Sequence, residues 1–145
     1  MKTTIPLTVI SLIIFIATSS CIKNDNLQPV ATPPVMTEIS ISGENLVYKI
    51  TVFFSEGVYA NRNKAGDLSV TSFSLLIDYG DIIIKNYSVT HSACQKNANI
   101  RIVLNKIPVG DEVISIQPAT CLSIYNFDGI AMCASDKLSI TIAGT

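Results

Sequence analysis

Tryptophan is absent from this chain, and histidine occurs once, at His91. A single imidazole excludes His-rich metal sites and any mechanism that needs two histidines. Charge is sparse: 14% of the 145 residues are charged and the formal net charge is -1. That balance gives no electrostatic case for nucleic acid as a partner. The charge is also too low for a coiled coil, and 48% apolar residues are too many for a disordered chain. No Gly-x-Ser-x-Gly elbow, no EF-hand run and no Cys-x-x-Cys pair occurs. The length fits one domain with a tail.

What is present begins with an address. Lys2 supplies a positive start, Ile5 to Ala17 is an apolar run broken only by Thr8 and Ser11, and Thr18, Ser19 and Ser20 are small. This is the pattern of a secretory signal over residues 1–20. The run is shorter than the roughly 20 residues a spanning helix needs. Small residues directly before Cys21 resemble the lipobox of bacterial lipoproteins, although Thr18 stands where that motif usually has Leu. The resemblance implies that Cys21 is lipidated and becomes the first mature residue. Several acyl chains, at about 0.8 kcal/mol per buried methylene, make a durable membrane anchor. Ile22 after the cysteine, rather than the Asp that commonly retains lipoproteins in the inner membrane, implies the outer membrane and leaves the cell surface open. The alternative is ordinary cleavage within Ala17–Ser19, with Cys21 a plain thiol.

Residues 21–35 read as a tether, because Pro29, Pro33 and Pro34 remove backbone donors and keep the stretch out of a sheet interior. From residue 36 to 145 the pattern changes to period-two alternation. Leu46, Tyr48, Ile50, Val52 and Phe54 share one face of a long strand, with Lys49 and Thr51 on the other. Similar runs recur through Ile39–Ile41, Phe73–Ile77, Ile82–Val89, Ile100–Leu104, Ile114–Ile116 and Leu138–Ile142. Turn chemistry separates them, as at Gly43-Glu44-Asn45 and Asp128-Gly129. About seven strands, each with one apolar face, predict an all-β, two-sheet antiparallel sandwich. Ile50, Val52, Ile102, Leu104, Ile114, Ile116 and Ile140 are expected to point inward.

The segments Val52–Ala60, Gly66–Leu75, Val89–His91, Asn99–Leu104, Gly110–Ala119 and Ser123–Met132 are similar, in order and spacing, to bacterial immunoglobulin-like domains found in tandem in large surface proteins. The resemblance implies an Ig-like fold and roles as spacer, adhesive module or scaffold, with no shared catalytic residues. There is one departure. The family loop usually reads Asp, two residues, then Gly-Asn-Ala; here Asn126 and Ile130 replace its two polar residues. The loop therefore is expected to lose a brace and to need another.

The chemistry on offer is thin. His91 with Ser88 or Ser92 is the best nucleophile-and-base combination, and it reads instead as a rim histidine at a strand end. The carboxylates are scattered through solvated turns, so no metal or cofactor is expected, with an ion bridging two loops left open. Glycan contact would use Tyr59, Tyr125 and Phe127, in or beside loops. After Cys21, three cysteines remain: Cys94, Cys121 and Cys133. With the departed loop between them, Cys121 and Cys133 are expected to form a disulfide at its base. It would close a loop of about 12 residues, worth roughly 3 kcal/mol. Cys94 is then the odd thiol; pairing of Cys94 with either of the others, or three reduced thiols, stays open. The sequence points to a non-enzymatic outer-membrane lipoprotein whose domain is an adhesive, structural or partner-binding module, its partner a protein or glycan. The alternative is a glycan or small-ligand receptor lipoprotein of an uptake system.

Overall fold

A computed structural model describes residues 31–144. The signal segment and Cys21 lie outside the described residues. Seven strands follow in order: β1 (Met36–Glu44), β2 (Val47–Phe54), β3 (Phe73–Asp78), β4 (Ile84–Thr90), β5 (Asn97–Leu104), β6 (Val113–Pro118) and β7 (Leu138–Thr141). The only helical element among the described residues is one 3₁₀ turn, Val70–Ser72. The strands form two antiparallel sheets, ordered β1-β2-β5-β4 and β3-β6-β7. Lettered along the chain this is ABED against CFG, the strand order of constant-type immunoglobulin sandwiches.

Alternation produces this arrangement directly. Along β2, Tyr48, Ile50, Val52 and Phe54 are buried while Val47 and Lys49 are exposed. Along β5, Ala98, Ile100, Ile102 and Leu104 are buried while Arg101 faces solvent. Ile114 and Ile116 of β6 close the core from the other sheet. Of the seven residues expected inside, six are buried; Ile140 is half-buried and packs against the rest. Tyr87 fastens the layers at one side: its hydroxyl donates to the carbonyls of Val70 and Phe73 at 2.9 and 3.2 Å.

The β1–β2 turn depends on Gly43, at φ 150°. A Cβ there would collide with the Val47 carbonyl and come 2.7 Å from Tyr48 Cα, so no larger residue fits the hairpin unchanged.

The expected tether ends earlier than residue 35. Val35 N donates to Ser55 Oγ at 3.1 Å, the Val35 carbonyl accepts from Ser55 N at 2.9 Å, and Pro34 is buried. Proline at 33 and 34 keeps this segment extended, and extended backbone can dock on the sandwich through its carbonyls.

Candidate functional site

The residues singled out in the sequence gather at one end of the sandwich, where several are structural. Tyr59 and Tyr125 exchange backbone hydrogen bonds of 2.8 and 2.9 Å. Tyr59 is only 5% exposed, so it offers no platform to a ligand, contrary to the expectation from sequence. Burial raises its pKa. Tyr125 and Phe127 are half-buried, and the face of Phe127 is already covered by Lys64, whose Nζ lies 3.8 Å from the ring centroid.

The loop between these aromatics folds back on itself, with Met132 N donating to Ile124 O at 2.8 Å and Asn126 N to Ile130 O at 3.0 Å. Ile124 and Met132 are fully buried. The expectation that this loop had lost its polar brace is corrected. Asn126 is 1% exposed, and its Oδ1 accepts from Asp128 N at 3.0 Å and Ile130 N at 2.9 Å. Its Nδ2 donates to the Thr32 carbonyl at 2.9 Å and to Glu56 Oε1 at 3.3 Å. An amide carries both an acceptor and donors, so Asn does here what a carboxylate does and adds two ties that a carboxylate cannot make.

The loop needs no covalent staple, and none is present at Cys121 and Cys133. Both are free and exposed, which corrects the expected disulfide. The fold does bring their backbones together, as Ala134 N donates to Cys121 Sγ at 3.4 Å. The Cys133 sulfur has a local partner, sitting 3.0 Å from Ser135 Oγ. The hydroxyl and the backbone N–H of Ser135 hold the Cys133 thiol below its ordinary pKa. Cys94, expected as the odd free thiol, is not among the free cysteines. It lies in a tight turn at φ 72°, where its N–H donates to the Val58 carbonyl at 2.9 Å.

His91 is buried, and backbone groups face both ring nitrogens. Leu68 N donates to Nδ1 at 3.1 Å, and Nε2 lies 3.4 Å from the Gln95 carbonyl. This geometry requires the neutral ring with its proton on Nε2. Desolvation lowers the His91 pKa, against smaller opposing contributions from the Gln95 carbonyl and Asp67. Glu112 is likewise turned to structure. Its carboxylate accepts from Val109 N at 3.1 Å and Gly110 N at 3.0 Å. Burial pushes its pKa up, but these backbone donors outweigh burial and hold the group ionised.

A different surface remains open. In register, Ser42, Lys49, Arg101 and Ser88 stand side by side across the four-stranded sheet. The neighbouring row is Ser40, Thr51, Asn99 and Thr90. Lys49, Thr51, Asn99 and Arg101 alternate with the buried residues of β2 and β5, and Ser40, Ser42, Ser88 and Thr90 are exposed, so these rows form the outer face. Ser42, Lys49, Thr90, Asn99 and Arg101 line a shallow depression of about 480 Å³. Lys49 and Arg101 are direct cross-strand partners, and neither forms an ion pair among the described residues. Like charges placed opposite one another destabilise a sheet. Alternation puts both cations outside and is readable from sequence; that they meet is a matter of register and is not.

No group of three or more His, Cys, Asp or Glu residues placed to hold a metal occurs among the described residues. No described helix is long and apolar enough to cross a membrane. Compared with known proteins, the chain matches no family model, no curated protein and no solved structure.

Proposed function

We propose that the protein is an exported, lipid-anchored, non-enzymatic module that binds a partner through an Ig-like β-sandwich. The observation that carries this reading is how the polar side chains are used. His91, Glu112 and Asn126 are buried and each bonds backbone, while Lys49 and Arg101 on the outer face of the four-stranded sheet stand exposed. A side chain held by backbone donors is a brace, and an open polar sheet face is a surface for recognition. The anchor rests on the segment ending at Cys21 and on its resemblance to lipoprotein signals. The strand order ABED against CFG supports the Ig-like assignment.

The test has two arms. Wild-type cells should incorporate labelled palmitate into the protein and hold it in the outer-membrane fraction, and Cys21→Ser should release it to the soluble fraction. Protease treatment of intact cells should then remove the domain if it faces outward. A mutant that stays in the membrane, with no palmitate in the wild type, overturns the lipoprotein. The second reading, a glycan or small-ligand receptor of an uptake system, draws on the depression beside Lys49 and Arg101. A deletion strain that loses attachment to surfaces favours the module; one that loses only growth on a glycan favours the receptor.

A further inference from the structure

We infer that the outer face of the four-stranded sheet binds a carboxylated glycan, with Lys49 and Arg101 clamping a sugar carboxylate. The inference rests on the partner-binding reading and names the partner's chemistry.

Charge complementarity carries it first. Lys49 on β2 and Arg101 on β5 are opposed in register, exposed and without a carboxylate partner among the described residues. Glu44, further along β1, is exposed and pairs with neither cation. Adjacent strands lie about 4.8 Å apart, so the two cationic heads can converge on one anion. Arg presents a planar fork that takes a carboxylate through two parallel N–H bonds, and Lys adds a mobile point charge. A bound carboxylate turns a repulsive pair into a shared attraction.

The surroundings select the kind of anion. The depression beside the cations is walled by Ser42, Thr90 and Asn99, with Gly43, Val47 and Tyr48 completing its lining. Thr51 Oγ1 and Asn99 Oδ1 are joined at 3.0 Å. That bond occupies the carbonyl oxygen of Asn99 and leaves its NH₂ without a protein partner among the described residues. Hydroxyl and amide groups at this spacing offer donors and acceptors to ring hydroxyls. The two rows of the face lie about 6.8 Å apart along the strands, a span that a pyranose ring bridges. An acidic peptide offers the same carboxylates without the ring hydroxyls that Ser42, Thr90 and Asn99 would meet, so polyglutamate is the comparison that separates the two. A flat polar face with a cation pair suits a uronic acid unit within a polymer. Affinity per unit is low on so open a surface and grows by repetition along the chain.

The probe is a short oligogalacturonate, added to the full-length lipidated protein in a non-ionic detergent. Neutral malto-oligosaccharide of equal length, polyglutamate and anionic phospholipid vesicles serve as comparisons. The expected result is saturable binding of oligogalacturonate that weakens as salt rises from low to high ionic strength. The Lys49→Gln, Arg101→Gln double variant should bind at least about tenfold more weakly, because charge-assisted bonds are lost. Its thermal midpoint should hold or rise, since the like-charge opposition is gone. That rise separates lost recognition from lost folding. Asn99→Ala should weaken oligogalacturonate binding and leave acetate binding unchanged. No saturable binding, equal binding of the neutral sugar, tighter binding of polyglutamate or vesicles, or an undiminished double variant each overturn the inference. Anchoring is read by fractionation and palmitate incorporation, so failure here leaves it standing.

Discussion

Asn126 donates from Nδ2 to the carbonyl of Thr32 at 2.9 Å, across 94 residues of chain. The same side chain accepts two N–H groups of its own loop. The entry of the chain into the domain and the loop before the last strand are thus held by one amide. Asn126 itself is almost without exposure, where an unmet donor or acceptor is costly.

Asn126→Ala should therefore lower stability by about 1–3 kcal/mol. Asn126→Asp is the sharper test. It keeps the acceptor for Asp128 N and Ile130 N but sets a second carboxylate beside Glu56. The Asn126→Asp protein should be destabilised at neutral pH, and Glu56→Gln should restore part of the loss. Chemical denaturation of the single and double variants checks both; equal stability of Asn126→Asp with and without Glu56→Gln defeats the account.

Stability should fall with acid through His91. Burial lowers its folded-state pKa, so the folded protein resists a proton that the unfolded chain accepts. The contribution is fully present above the unfolded value of about 6.5. It is lost as pH falls from there toward the lowered folded value, where protonated Nδ1 would face Leu68 N–H. His91→Gln should flatten this part of the pH–stability curve. Unfolding midpoints between roughly pH 7 and 4 measure it, and an unchanged slope in His91→Gln refutes it.

Cys133 should react with iodoacetamide at lower pH than an ordinary exposed thiol, because its thiolate is stabilised by Ser135. Ser135→Ala should shift the rate profile to higher pH. Mass spectrometry of peptides alkylated along a pH series reads the effect. A Cys133 profile that matches glutathione, with no response to Ser135→Ala, contradicts the geometry.

Ile102 and Ile116 are both fully buried, on opposite sheets. Each change to Ala should cost about 2–5 kcal/mol. The sandwich is of the size that folds with a total of about 5–15 kcal/mol, so the double variant should be largely unfolded at 37 °C. Near-native melting of the pair would remove the two-sheet core as drawn.

The strands, their inward faces and the class of the fold are legible in the amino-acid pattern alone. Period-two alternation is a local property: Ile50, Val52, Ile102 and Leu104 are apolar at every second place, and only one face of a strand can be buried. The tertiary structure decided what those strands bring together. Register sets Lys49 against Arg101, and a slip of one residue would turn the cation of the slipped strand toward the core. Folding back of the 121–133 loop decides that Asn126 meets Thr32 and Glu56, and that Cys121 and Cys133 come within reach of one another. These contacts span long stretches of chain. No local pattern encodes them, because they depend on where the sandwich places the ends of its strands.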